Sequence, residues 1–210
     1  MAKRLFDLAF AVLALLLLSP LLLVVALWVR LDSPGPVFFR QQRVGRNGQL
    51  FRIYKFRTMH TGAELKGPQL TVGADIRITR SGTWLRDSKV DELPQLFNVL
   101  QGNMSVVGPR PEVPRYVTHY PAAVRSEVLS VRPGITDLAS IAFRNESEIL
   151  ACSSAPERAY LEQILPAKLR WAQQYVRNRS LWLDLCIIAW TALAVLGLRV
   201  ALSPPPADNP

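Results

Sequence analysis

Two adjacent carboxylates, Asp91 and Glu92, stand in the stretch "KVDELPQLFNVLQG" (residues 89–102), immediately ahead of an apolar run. Acids so arranged suit phosphoryl transfer. One carboxylate can attack phosphorus to give an acyl phosphate, which divides one difficult transfer into two easier ones. The other can supply an oxygen ligand to Mg²⁺, which bridges phosphates and neutralises developing charge. The same residues also read as an ordinary helix start. With Asp91 as N-cap, Pro94 falls in the first turn, where its missing N–H removes no helical bond. Leu93, Leu96, Phe97 and Leu100 then share one face, and Gly102 is a C-terminal stop. A helix start would also keep Asp91 ionised and help to hold anionic groups.

Phosphate chemistry needs cations, and the chain supplies them. Arg110 lies between Pro109 and Pro111 in "NMSVVGPRPEVPRYV". The two rings fix φ on either side, so the guanidinium is presented by a stiff loop at little entropic cost. A merely structural Pro-rich turn is the competing reading. Lys55 and Arg57 fall in "QLFRIYKFRTM", Arg86 in a helix expected from about Thr83, and Arg132 and Arg144 in a turn and mixed segment around "VRPGIT".

The formal charge of +9 and a pI near 10.1 imply an anionic partner: nucleic acid, anionic lipid or a phosphorylated substrate. Aromatics make up only 9% and the bases are spread along the chain, which argues against nucleic acid. Cys152 and Cys186 lie far apart with no CxxC and read as free thiols of a reducing compartment. His60 and His119 are isolated, without metal-ligand spacing, and read as structural or surface residues. No Walker A, GxGxxG, GxSxG or HExxH pattern occurs.

The elements that must position these groups begin with "LAFAVLALLLLSPLLLVVALWV", Leu8 to Val29, which carries no charge. At about 1.5 Å per residue it is long enough to cross a bilayer core of about 30 Å. No small-residue cleavage site ends it, so it is expected to remain on the protein. Ser19-Pro20 interrupts it at the midpoint. Pro20 deprives the Leu16 carbonyl of its helical partner, and the Ser19 hydroxyl could satisfy a freed backbone group. Both flanks are basic: Lys3 and Arg4 before, then Arg30, Arg40, Arg43 and Arg46 after. Basic flanks favour the cytoplasmic side, which a helix-break-helix hairpin satisfies at both ends. A Pro-kinked helix spanning the membrane is the alternative.

Beyond the breaker Ser33-Pro-Gly-Pro36, a turn at Gly45-Arg-Asn-Gly48 joins "VFFRQQRV" to "QLFRIYKFRTM" as a β-hairpin. Neither face of its second arm is cleanly apolar, which suits a ribbon near a membrane with bases directed at phosphates, or an edge strand made soluble by charge. Residues 60–80 are loop-rich. Pro156 to Arg179 is helical and charged, and 180–202 is apolar nearly all round, with only Asp184 and Arg199 charged. An interfacial helix is preferred there over a second span, because Asp184 in hydrocarbon is costly.

The Ser19-Pro20 break, "SPGPVFFRQQRVGRNGQLFRIYKFRTM", "RSGTWLRDSKVDELPQLFNVLQGNMSVVGPRPE" and "VRPGIT" together resemble the small bacterial sugar transferases, the monotopic polyprenol-phosphate phosphoglycosyl transferases. The resemblance runs from about Lys3 to Phe143. It implies transfer of a phospho-sugar from a UDP-sugar to a polyprenol phosphate, with release of UMP and with Mg²⁺, at the cytoplasmic face of the bacterial inner membrane. It implies Asp91 as nucleophile, Glu92 as its partner acid, both as metal ligands, and Lys55, Arg57, Arg86, Pro109, Arg110 and Arg132 as substrate-binding residues. Ser19 and Pro20 match the membrane break. After "PGIT" many members continue with Gly-Trp, whereas this chain reads Asp137-Leu-Ala-Ser-Ile.

The expected fold is α+β, predominantly α. It comprises a re-entrant hairpin over 1–30, a catalytic domain over 31–150, C-terminal helices at the membrane interface over 151–203 and a disordered tail over 204–210. No nucleic-acid partner is expected. A membrane-anchored, non-catalytic scaffold for glycan assembly is the alternative function; it would not depend on Asp91.

Overall fold

A computed structural model describes residues 1–63, 70–73, 75–198, 200–203 and 205. The expected tail 204–210, Pro205 apart, and Arg199 fall outside the described residues.

The apolar N-terminal stretch forms α1, Ala2–Asp32, the one described helix long and apolar enough to cross a membrane. The expected break does not interrupt it: helical structure runs through Pro20. The reason lies in its neighbour. The Ser19 hydroxyl donates to the Leu16 carbonyl at 2.9 Å, supplying the hydrogen bond that Pro20 cannot.

Both ends of α1 dock on the rest of the chain. Near its start, Arg4 donates to the carbonyls of Val99 and Leu100, and buried Asp7 accepts from Ser105 Oγ and the Val106 N–H. Near its end, Val25 and Val29 pack with Phe56 and Leu85, while Asp32 accepts from Ser81. Between Leu16 and Leu21 no residue joins either core cluster that α1 enters, and Leu16 and Leu17 are largely exposed.

Strands β1 (Phe38–Val44) and β2 (Leu50–Phe56) pair antiparallel in register Phe38↔Phe56 to Val44↔Leu50, forming the expected hairpin. Asn47 at φ 57° and Gly48 at φ 77° make the turn. The mixed arm resolves into two faces. Ile53 enters the core and Lys55 points to the carboxylates. On the other face Phe38, Tyr54 and Phe56 touch, with Arg40 stacked 4.4 Å over the Tyr54 ring.

Helix α2 (Arg80–Asp87) starts three residues before the expected Thr83, because Thr79 caps it by accepting the Gly82 N–H. Helix α3 (Gln95–Leu100) ends in a Schellman turn: Gly102, at φ 85°, donates to Val99, and Asn103 donates to Asn98. Strand β3 (Ser105–Val107) pairs in parallel with β4 (Gly134–Thr136), a small sheet that residue periodicity did not announce. The chain also forms α4 (Pro114–Val117), α5 (Ala122–Val128), α6 (Leu138–Ala142) and α7 (Glu146–Ala151). A π-helical turn, Tyr160–Ile164, carries α8 (Pro156–Ala159) into α9 (Leu165–Asn178).

Helix α10, Leu181–Val195, covers the apolar C-terminal stretch. Asp184 is fully buried but not isolated: it accepts from Tyr175 Oη at 2.8 Å and pairs with Lys3 at 2.9 Å. That network ties α10 to α9 and to the start of α1. Ile187 is buried inward, while Trp182, Leu185 and Leu193 face outward. The described chain is mostly helical, as expected, with the expected hairpin and one further small sheet.

Candidate active site

Asp91 is not the N-cap of α3. Residues Val90–Glu92 form a single 3₁₀ turn and Pro94 occupies the cap position. The chain winds tightly here: Glu92 donates to Lys89, Leu93 to Val90, Leu96 to Leu93 and Phe97 to Pro94. Lys89 enters this turn at φ 59°, a left-handed conformation unusual for a long side chain and the kind of local strain that collects at functional sites. The buried residues of α3 are Gln95, Leu96, Asn98 and Val99, rather than the expected Leu93-Leu96-Phe97-Leu100 stripe; Phe97 is 39% exposed against the Tyr54 ring.

Asn98, fully buried, holds this segment against β2. Its carboxamide donates to the Arg52 carbonyl and accepts the Tyr54 N–H, both at 2.9 Å, in the manner of a third strand. Lys55, next along β2, is thereby aimed at Glu92, and Nζ reaches Oε1 at 2.6 Å.

From the other side Arg110 grips both oxygens of Glu92: NH1 reaches Oε2 at 3.0 Å and NH2 pairs with Oε1. Its loop is seated on β4, where Gly108 donates to Thr136 and Gly134 donates to the Pro109 carbonyl. A Cβ on Gly108 would stand 2.5 Å from the Arg132 carbonyl oxygen, so no larger residue fits. Arg86 in α2 donates to Thr58 Oγ1 at 2.9 Å and Thr71 Oγ1 at 3.1 Å, and its charge acts on Asp91.

Asp91 itself is 7% exposed, and its Oδ1 is buried without a hydrogen-bond partner. Burial pushes its pKa up, an effect that Glu92 reinforces and that Lys55, Arg86 and Lys89 only partly offset. The expected effect of a helix start, which would keep this acid ionised, is outweighed. Glu92 differs. Burial pushes it up as well, but Arg110 and Lys55 prevail and hold it well below the usual carboxylate range. Glu92 in turn raises Arg110, whereas Lys55 is lowered by burial despite Glu92. Two neighbouring acids thus have opposite character: Glu92 is a fixed anion, and Asp91 is a desolvated, basic carboxylate with a free oxygen.

The other expected binding residues lie elsewhere. Arg57 is buried at the end of α1, where it donates to the carbonyls of Val29, Ser33 and Pro34. Arg132 donates to the Gly102 carbonyl at 2.8 Å, beyond the end of α3 remote from Asp91. Thus Lys55, Arg86 and Arg110 converge with the two acids, Pro109 shapes the loop, and Arg57 and Arg132 satisfy backbone carbonyls. Asn98, Thr58, Thr71 and Asp137 contribute without having been singled out. Only Asp137 carried a sequence signal, as a departure from the pattern after "PGIT".

Among the described residues no three acidic, His or Cys side chains converge as a metal cage. Two adjacent carboxylates nevertheless suit Mg²⁺, which is often bound by one or two carboxylates with substrate phosphates and water completing its shell. The orphaned Oδ1 of Asp91 is an oxygen available for that purpose.

The model of the bacterial sugar transferase family matches residues 1–198. A UDP-glucose:undecaprenyl-phosphate glucose-1-phosphate transferase from Xanthomonas campestris pv. campestris is 43% identical over 205 residues, covering 95% of this chain and 40% of the relative. A UDP-N-acetylgalactosamine-undecaprenyl-phosphate N-acetylgalactosaminephosphotransferase from Aeromonas hydrophila is 39% identical over 196 residues, covering 92% of this chain and 43% of the relative. The exopolysaccharide production protein PSS of Rhizobium leguminosarum bv. phaseoli is 39% identical over 209 residues, covering 92% of this chain and 94% of the relative. The chain therefore spans about two fifths of the first two relatives and nearly all of the third. On the match over residues 1–198, with the paired acids and their cations inside it, the chain belongs to the bacterial sugar transferase family.

Proposed function

We propose that this chain transfers a phospho-sugar from a UDP-sugar to a polyprenol phosphate, through a covalent intermediate on Asp91. The observation that carries the reading is the buried, unpartnered Oδ1 of Asp91 beside three cations of which Glu92 holds two. In the first step this oxygen attacks the phosphorus that bears the sugar. The Asp91 O–P bond forms, the bridging P–O bond breaks, and its electron pair leaves on the oxygen of UMP. In the second step a phosphate oxygen of the lipid attacks the same phosphorus. The acyl-phosphate bond breaks and the Asp91 carboxylate is restored. Arg110, Lys55 and Arg86 bind the equatorial and bridging oxygens, where negative charge gathers. Asp91 and Glu92 would hold Mg²⁺, whose chemistry is to neutralise phosphate charge.

The substrates come from water and from lipid, so the site works at a membrane surface. Support comes from α1: both of its ends dock on the domain that holds Asp91, and its exposed middle is apolar. This arrangement suits a helix that enters and leaves one leaflet, and the basic flanks favour the cytoplasmic face of the inner membrane for both ends. Trp28 and Trp84, 5.6 Å apart and half exposed, suit the headgroup level, as do the outward Trp182 and Leu185 of α10.

Purified protein in detergent, given UDP-sugar, polyprenol phosphate and Mg²⁺, should release UMP. Without the lipid acceptor, intact-protein mass spectrometry should show a phospho-sugar adduct that hydroxylamine removes and that Asp91→Asn lacks. A fully active Asp91→Asn would sink the covalent mechanism, and wild-type protein that released no UMP would favour the scaffold.

A further inference from the structure

Asp137 is 3% exposed, and its two oxygens serve two different elements. Oδ1 accepts the Ser140 N–H at 2.7 Å and so caps α6. Oδ2 accepts the Arg110 N–H at 3.2 Å. Pro109 and Pro111 have no N–H, so the Arg110 amide is the only main-chain donor of that triplet. Around it the loop and β4 lie backbone to backbone: a Cβ on Gly134 would stand 2.1 Å from the Gly108 nitrogen. The peptide that carries the Arg110 N–H is held on both sides, its Pro109 carbonyl accepting from Gly134 at 3.0 Å and its N–H donating to Asp137, and from that peptide the guanidinium must reach Glu92 in a fixed fork.

We propose that Asp137 is a positioning residue for Arg110, and that it acts by fixing the backbone from which the phosphate-binding guanidinium projects. This rests on the reading of Arg110 as a phosphate ligand. A carboxylate is suited to the position because one oxygen can cap α6 while the other holds the loop. A residue with a single acceptor can do only one of these.

Asp137→Ser separates the two roles, since serine caps a helix about as well as aspartate but spends its one oxygen there. In the full chain in detergent, hydrogen exchange of the peptide containing Gly108 and Arg110 should lose at least about tenfold protection in Asp137→Ser, with the thermal midpoint nearly unchanged. The flanking prolines carry no amide, so the signal isolates these residues. KM for the UDP-sugar should rise about tenfold with a smaller change in kcat, less than the roughly hundredfold that a 1 Å misplacement can cost. In an Arg110→Ala background the same substitution should add nothing. Should Asp137→Ser fail to fold, Asp137→Asn keeps the volume and one acceptor and should show the same two losses.

Wild-type exchange and KM in the folded variant would reduce Asp137 to a helix cap and overturn the proposal. So would an equal KM rise in the Arg110→Ala background. The exchange measurement needs no substrate. If wild-type protein transferred no sugar phosphate at all, the proposed function would fail, while the exchange result would still decide whether Asp137 holds Arg110.

Discussion

Asp91→Asn should abolish transfer and at the same time make the protein more stable. The side chain is buried, one oxygen has no partner, and its pKa is raised chiefly by burial. A carboxylate whose folded pKa lies above its unfolded one destabilises the fold once the pH exceeds the unfolded value, near 3.9. Over the window between the two values the folded state binds more protons, so stability falls as pH rises. Above the folded value the deficit is complete, and below about 3.9 it vanishes. Asparagine has nearly the same shape and no charge to desolvate. Relief at a strained functional position typically stabilises by about 0.5–2 kcal/mol. For a chain of 210 residues that corresponds to roughly 1–8 °C in the thermal midpoint. The assay is thermal unfolding of both proteins in one detergent at one scan rate, from pH 4 to pH 8. The gain should be greatest at the alkaline end and shrink towards about pH 4. An equal or lower midpoint for Asp91→Asn at pH 7.5 would show that Asp91 is not a desolvated anion, and the account of its reactivity would fall with it.

The arginines should separate by role. Arg110→Lys and Arg86→Lys should lower kcat/KM by about tenfold or more, because an ammonium cannot reproduce a two-point planar contact, while Arg46→Ala, in the exposed turn, should stay close to wild type. Arg57→Ala should cost about 1–3 kcal/mol of stability by leaving the Val29 and Ser33 carbonyls without its bonds, with KM of the surviving folded enzyme unchanged; a selective rise in KM would place Arg57 among the phosphate ligands. Replacing both Ser19 and Pro20 by Leu should favour a membrane-spanning α1. A single cysteine at position 2, with Cys152 and Cys186 replaced, would then react with an impermeant maleimide on intact cells, whereas labelling of the parent would refute the same-side arrangement.

The β-hairpin, the carboxylate pair and the Ser19 hydroxyl bond were all legible in the residues, because each rests on local chemistry: a turn with two glycines, adjacent acids, a hydroxyl before a proline. The placement of Asp91 was not. A proline and an apolar run suggested a capped helix, yet i→i+3 bonding from Lys89 onwards produces a 3₁₀ turn that carries Asp91 into the interior. The resemblance implied that Lys55 and Arg57 both bind substrate, but β2 ends at Phe56, and the chain turns Arg57 away to the end of α1. Arg132 and the three-residue strands β3 and β4 show the same limit: partners far apart in sequence leave no periodic trace.

Asn98 has one more consequence. The free edge of a two-stranded ribbon is a template on which another chain can add a strand, and such edges lead to aggregation unless they are covered. The Asn98 carboxamide occupies the two backbone groups of Arg52 and Tyr54 that an incoming strand would use. The turn that presents the reactive acid is therefore followed, seven residues after Asp91, by the side chain that keeps the neighbouring sheet from propagating. Loss of that amide, as in Asn98→Leu, would leave both groups without their partner at once, and self-association of the protein should accompany the loss of catalysis.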